Sequence, residues 1–374
     1  MPDVVEIGVG KVARRGYHFY DVSIVPSRRT RDVDDVSTAW QLDAYRFGIP
    51  CVAHPSDATM SPATAIKLGQ LGGLGTLNAE GLWCRYDDPE PLLAELASLE
   101  DDSVAATRRL QEIYAEPIKP ELIAERVKQL REAEVTVAVR VSPQHTLALA
   151  PVILDAGIDI LIIQGTIVSA EHVSAHDEPL NLKEFIADLD LPVIVGGCTN
   201  YQTALHLMRT GAAGVIVGVG QDVWSTTSDQ LGIKVPMASA VADAAAARRD
   251  YLDETGGRYV HLIADGDIET SADISKAIAC GADSVMLGLP LTHCEEAPAG
   301  GAWWHSVASH PKLPRGRYAS PDPDRHGDME QLLHGPSVDP SGTMNLFGGL
   351  RRAMAKCGYS DVKEFQKVEL TVSL

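Results

Sequence analysis

The chain has no run of about 18 consecutive apolar residues, so nothing in it reads as a membrane-spanning helix. Its first residues show no basic-then-apolar pattern, and a soluble, cytoplasmic protein is expected. Cysteine is scarce, six in 374 residues, and no two form a C-x-x-C pair. Reduced, buried thiols follow from that, rather than a disulfide framework or a zinc site. Basic residues are outnumbered, 32 Lys and Arg against 51 Asp and Glu, and the net charge of −19 sets most of the surface against nucleic-acid phosphates. Two basic groups, Arg28, Arg29 and Arg31 after a proline turn and Arg248-Arg249 on a helix, read as solvated faces or surface ion pairs. Low-complexity tracts and long repeats are absent. Residues 309–340, rich in Pro, Gly, Asp and His, show no period and read as a long loop.

Branched apolar runs are what the chain does have. Residues 49–53, 72–77, 135–141, 159–165, 192–197, 214–220, 258–266 and 284–291 all lack the polar alternation of a half-exposed strand, so both faces of each should be buried. Between several of them the same corner recurs. Gly157, Gly211 and Gly281 each stand where a helix should end in a left-handed turn, directly ahead of a strand. Eight such strands with helical crossovers predict a single-domain (β/α)8 TIM barrel of the α/β class over residues 1–374. An open doubly wound sheet is the alternative. Against it, Gly218-Val219-Gly220 is followed by Val223 where a dinucleotide fingerprint needs a third glycine.

Working residues of such a barrel lie on the loops after the strands. Those loops include Gly218–Thr227, Ala264-Asp265-Gly266-Asp267 and Leu287-Gly288-Leu289-Pro290. Through Asp21–Pro26, residues 65–77 with Gly72-Gly73-Leu74-Gly75, Ala264-Asp265-Gly266, residues 275–288, Gly348–Met354 and Cys357-Gly358, the chain resembles the IMP dehydrogenase/GMP reductase family. The resemblance covers nearly the whole chain. Residues 81–134 are too short for the pair of CBS regulatory modules found in many members, and read as two helices, 89–100 and 120–132. The chain thus resembles the forms that lack them.

The resemblance implies a purine nucleotide at the strand ends, a cysteine thiolate that attacks its C2, and hydride exchange with NAD(P). A thiolate suits the task because it is nucleophilic near neutral pH. Ser225 stands at the position that aligns with the cysteine, and Thr227 aligns with the catalytic-loop threonine. A serine needs a base to take its proton, and no histidine lies in this loop. Ser225 therefore reads either as a relic of the nucleophile or as a loop residue bonding backbone.

The aligned substrate positions are altered as well. Val223, Asp267 and Leu289 replace phosphate-contacting glycine and serines, and Asp267 puts a carboxylate where a dianion should lie. His54 and Ser56 replace a serine and a methionine near the nucleotide, while Asp57 matches. His54 reads as a source of the missing positive charge or as a structural histidine. Asp265, followed by Gly266, aligns with the aspartate that receives the ribose hydroxyls, and Gly288 lies beside Leu289 on the last strand-end loop. On the cofactor side Gln164 replaces an aspartate at the nicotinamide, close to Thr166, and Gly197 replaces an asparagine. Arg325-His326 sits where an Arg-Tyr pair of the mobile flap is sought. His172 and His176 share an i, i+4 spacing without a third ligand, so no metal is expected, and Trp303-Trp304 reads as core or interface packing.

Three functions remain open on these residues. One is a family barrel that has lost thiolate catalysis and binds or regulates. Another is an active IMP dehydrogenase or GMP reductase with unusual site residues. A third is a barrel for a changed, less anionic ligand. A homo-oligomer, a tetramer in the relatives, is implied by resemblance.

Overall fold

The computed structural model describes residues 4–99, 103–174, 179–322 and 327–373. All eight expected strands are present: β1 (Cys51–Ala53), β2 (Thr76–Asn78), β3 (Ala138–Val141), β4 (Ile160–Gln164), β5 (Val193–Cys198), β6 (Gly214–Gln221), β7 (His261–Gly266) and β8 (Ser284–Leu287). Each pairs in parallel with the next from β2 onward, and β8 returns to β1. The ring closes just ahead of β2, where Val52 bridges Leu74 and Ala53 N donates to Leu74 O at 2.8 Å. An open sheet is thereby ruled out. Gly157, Gly211 and Gly281 have φ of 82°, 98° and 120°, each just past the helices Thr146–Asp155, Tyr201–Arg209 and Ser271–Ala279. That conformation costs other L-residues roughly 1 kcal/mol or more, which is why glycine marks every one of these corners.

Along each strand alternate residues point into the barrel. Val52, Leu74, Ala138, Ile162, Ile194, Ile216, Ile263 and Met286 form the inner apolar layer. A hairpin of Trp40–Leu42 and Tyr45–Phe47 closes the N-terminal end and adds Trp40, Leu42 and Phe47 to that layer. Two residues further on, the inward positions become His54, Thr76, Arg140, Gln164 and Asp265, with Gly196, Gly218 and Gly288 between them. Buried polar groups need partners, so this ring is where ligand chemistry would concentrate.

Four expectations are corrected. Residues 81–134 hold three helices rather than two: Glu90–Ala97, Ser103–Ile113 and Pro120–Glu132. The middle one escaped notice because its apolar face, Ala106, Leu110 and Ile113, is narrow and interrupted by Arg108-Arg109. The last strand ends at Leu287, since Pro290 lacks an N–H for the ladder and the chain coils into a 3-10 turn, Leu289–His293. Residues 309–340 are not all loop. Asp328 and Gln331 form a capping box that starts a short helix, Met329–His334, whose Met329, Leu332 and Leu333 are buried. Finally, Arg248 is not a surface residue. It lies on the inner face of the helix Met237–Thr255 among Ala244, Ala245 and Tyr251, and is 7 % exposed.

A second apolar cluster sits over the C-terminal mouth. Leu93, Leu96, Leu110 and Ile113 of the inserted helices pack on Trp303, Trp304, Ala308, Tyr318 and Ala319. Trp303 and Ala319 exchange backbone hydrogen bonds, both 2.9 Å, and Tyr318 Oη donates to Leu96 O. Each fully buried Leu or Ile contributes about 1.5–3 kcal/mol, so residues 299–319 form a fixed cap. No helix among the described residues is long and apolar enough to cross a membrane.

Candidate functional site

Beneath the cap the ends of β1, β6, β7 and β8 frame a narrow cleft open to solvent. Its walls include His54, Asp265, Gly266, Asp267, Gly288 and Leu289, so most of the expected substrate positions do meet. Gln221, Asp222, Trp303 and His305 also line it; the first two lie in the loop singled out from sequence but carry no role in that reading, Trp303 reads as packing and does pack in the cap, and sequence reasoning missed His305. Asp222 had a signal, a carboxylate three residues ahead of Ser225. His305 had a weaker one, its place beside the paired tryptophans.

Asp222 organises the loop. Its Oδ1 accepts the backbone N–H groups of Trp224 and Ser225, each at 2.8 Å, a local turn that aspartate forms readily. The same carboxylate reaches the cap, with Trp303 Nε1 donating to Oδ2 at 3.1 Å and His305 Nε2 at 3.0 Å from Oδ1. Burial opposes ionisation of Asp222, but His305 and the N–H donors outweigh it and hold its pKa below the usual carboxylate value. Burial likewise opposes a proton on His305. Asp222 overcomes this, with Asp265 adding, and the imidazole pKa rises above its ordinary value. The two form a buried hydrogen-bonded pair under the cap that favours the ionised forms of both.

Asp265 is different. It is 5 % exposed and accepts one side-chain hydrogen bond, from Gln164 Nε2 at 3.1 Å. Burial raises its carboxyl to about 7 against the pull of His305, and Asp222 adds to the rise. His54 is lowered to about 3, chiefly by burial, with His305 and Arg140 contributing. A neutral His54 does not supply the positive charge considered for it. Protonation is favoured instead at His305, which is bonded to Asp222. Asp267 holds φ +51°, with its N–H on Gln221 O at 2.6 Å and its Oδ2 accepting from Gln221 Nε2 at 2.8 Å. His54 Nδ1 and Gln221 Oε1 are buried with no partner among the described residues.

The other expected residues do not line the cleft. Ser56 Oγ donates to Trp304 O at 2.8 Å, and Asp57 accepts from Tyr114 Oη at 2.6 Å, both beneath the cap. Ser225 Oγ accepts from Thr227 N at 3.5 Å, and among the described residues no imidazole or carboxylate hydrogen-bonds that oxygen. Thr227 is buried at the start of the short helix Thr227–Leu231. Val223 is 68 % exposed. Gln164 is turned inward onto Asp265 and Met286 Sδ, and Thr166 accepts from Arg315 Nη2 at 3.1 Å. At Gly197 a Cβ would lie 2.0 Å from Gly218 O, so no side chain fits where the resemblance implied an asparagine. As placed, these residues do not fit a nicotinamide. His172 lies in irregular backbone, while His176 and Arg325-His326 fall outside the described residues.

All six cysteines are free thiols outside this cleft. Burial pushes Cys51 and Cys84 far up, and Cys198, Cys280 and Cys294 to about 12. None presents a thiolate.

Comparison with known proteins agrees with the fold. The model of the IMP dehydrogenase / GMP reductase domain matches residues 16–317. A protein of Mycolicibacterium smegmatis described as an uncharacterized oxidoreductase is 60% identical, covering 99% of this chain and 100% of the relative. Inosine-5'-monophosphate dehydrogenase of Methanocaldococcus jannaschii is 23% identical over 95% of this chain and 92% of its own. The crystal structure of an IMP dehydrogenase/GMP reductase-like protein from Corynebacterium glutamicum superposes with a TM-score of 0.94 at 55% identity, over 99% of this chain and 98% of that one. With three helices between β2 and β3 where regulatory modules would stand, the chain belongs to the IMP dehydrogenase/GMP reductase family in a form without CBS modules.

Proposed function

We propose that this barrel has left the family's thiolate chemistry and binds, at its strand ends, an uncharged or cationic ligand rich in hydrogen-bond donors, serving a binding or regulatory role. One observation carries it: no thiol lines the cleft, and Ser225, which aligns with the nucleophile, has no base bonded to it among the described residues. A hydroxyl without a base does not attack a purine carbon at a useful rate. The ligand class follows from the walls. Asp265, Asp267 and the unpartnered Gln221 Oε1 all accept, while His305 is bonded to Asp222, so a phosphate dianion is repelled and hydroxyl or amino groups are welcomed. A homo-oligomer and a cytoplasmic location go with this reading by resemblance.

A second reading has its own support. Asp265, near 7, is suited to proton transfer at neutral pH, and close relatives are described as oxidoreductases. Incubating the purified protein with IMP and NAD, and with GMP and NADPH, separates the two. No change in reduced cofactor above background is expected, and Ser225→Cys alone does not restore turnover because the cleft's charges are unchanged. Robust XMP formation would overturn the proposal, and its loss in Asp265→Asn with survival in Ser225→Ala would establish the second reading.

A further inference from the structure

The opposite end of the barrel holds an open cavity of about 890 Å³ that the family resemblance assigns to nothing. Trp40 of the plugging hairpin, Tyr259 and His261 at the start of β7, and Asp283, Arg46 and Lys363 line it. The rings meet edge to face: His261 lies 5.0 Å from Tyr259 at 73° and 6.0 Å from Trp40 at 71°. Trp40 also stacks on Phe47, and Arg248 and Lys363 stand over the Tyr259 ring.

Donors outnumber acceptors there. Asp283 is buried, and its four acceptor positions are filled. Arg248 Nη1 at 2.6 Å and Leu262 N at 2.8 Å donate to Oδ2, and Tyr259 Oη at 2.6 Å and Gln366 Nε2 at 3.0 Å donate to Oδ1. A carboxylate has about four lone-pair sites, so nothing remains for Lys363. Its Nζ stands 3.9 Å from Asp283 Oδ1, beyond hydrogen-bond reach, and 3.2 Å above the Tyr259 ring. Trp40 Nε1, in a residue 6 % exposed, and His261 Nδ1 are buried with no partner among the described residues. Asp361, the other carboxylate on the wall, already accepts from Glu364 N at 2.8 Å and Ser360 Oγ at 3.1 Å. Lys363 and Arg46 outweigh it in charge.

We infer that this cavity is a second binding site, for a small planar carboxylate whose anion meets Lys363 and whose flat body lies against Trp40, Tyr259 and His261. The carboxylate supplies the acceptor that Asp283 no longer offers, and a charge-assisted bond to a lysine is among the stronger polar contacts. The rings favour an aromatic body over an aliphatic one. This site is independent of the strand-end cleft and of any activity there.

Titration of the full-length protein with benzoate, followed by ligand-observed NMR, tests it, with benzamide as the uncharged isostere. Saturable binding of benzoate is expected at millimolar concentration, with benzamide weaker by about tenfold. Lys363→Met, at a half-exposed position, is expected to keep its melting temperature and to weaken benzoate by a similar factor, while Trp40→Phe perturbs the bound ligand's signals. Absence of saturable binding to the parent protein would overturn the inference. So would equal affinity for benzoate and benzamide, or benzoate binding that Lys363→Met leaves unchanged.

Discussion

Two buried aspartates at opposite ends of the barrel behave in opposite ways. Asp283, ahead of β8 at the plugged end, accepts four hydrogen bonds and faces Arg248, so its pKa is held down even though burial pushes it up. Asp265, at the end of β7 beneath the cap, has one side-chain donor and is raised to about 7. Burial alone therefore does not say what a carboxylate is for. A saturated one holds structure together, and a starved one waits for a ligand's donors or for a proton. The same contrast separates His305, paired with Asp222, from His54, neutral and with one nitrogen unpartnered.

The hardest way to break the comparison is at Asp283. Replacing it with alanine leaves Arg248 buried without its partner and removes an acceptor from Tyr259, Gln366 and Leu262 N–H. A loss of about 3–5 kcal/mol of stability is expected, measured by urea denaturation. The double change Arg248→Met with Asp283→Leu should recover most of it, because the apolar pair has no uncompensated charge. A loss below about 1 kcal/mol for the single variant would remove the structural role assigned to Asp283.

Asp265 should respond with the opposite sign. Its folded pKa, about 7, lies above the ordinary aspartate value of 3.8, so the folded state holds a proton that the unfolded state releases. Stability is then progressively reduced as pH rises from about 4 to 7, and the full penalty is present above 7. Asp265→Asn removes it. The variant should be more stable than the parent by on the order of 2–4 kcal/mol at pH 8, and the gain should shrink toward pH 4. His54, lowered to about 3, works the other way across a similar range, since the unfolded chain binds a proton that folded His54 refuses. Asp57, raised to about 6 by burial, opposes the His54 slope over that range, so the readout is the difference between Asp265→Asn and the parent, which should grow steadily from about pH 4 to 7. Melting curves across that range that parallel the parent's would show that Asp265 is not starved.

These differences explain what could be read from the chain beforehand. The eight strands and three glycine corners were legible because apolar runs and left-handed turns are local signals. The interior ring was half legible: strand ends located Asp265, Gly266, Asp267 and Gly288, but not the direction in which Gln164 turns. The cap was not legible. Trp303, His305 and Asp222 are separated by some 80 residues, and their meeting depends on helices whose apolar faces are short. Arg248 was misjudged for a related reason, since a charged residue on an alanine-rich helix looks solvated until Asp283 is brought beneath it. Nothing in the spacing marks Lys363 as short of an acceptor, because that follows from a count of donors around Asp283 in three dimensions.

The smallest expected effect concerns the anion side of the strand-end cleft. Asp267 and Leu289 stand where the resemblance places phosphate contacts, and both line the cleft. Asp267→Gly removes a like charge, and glycine adopts the φ of +51° without the strain a side chain incurs there. It also frees Gln221 Nε2 from one acceptor, leaving Val235 O at 3.2 Å. Leu289→Ser adds a hydroxyl at the mouth. Together they should tighten IMP by about tenfold, roughly 1.4 kcal/mol, because removing a repulsion and adding a donor act on the same dianion. The gain should fall with added salt, as a screened charge effect must. Calorimetric titration at two ionic strengths reads both quantities. Equal IMP affinity in the parent and the double variant would mean that the phosphate does not approach β7 and β8 in this barrel. Tight binding already in the parent would place a compensating cation beside Asp267, with His18, whose Nδ1 is 3.6 Å from Asp267 Oδ2, as the nearest candidate.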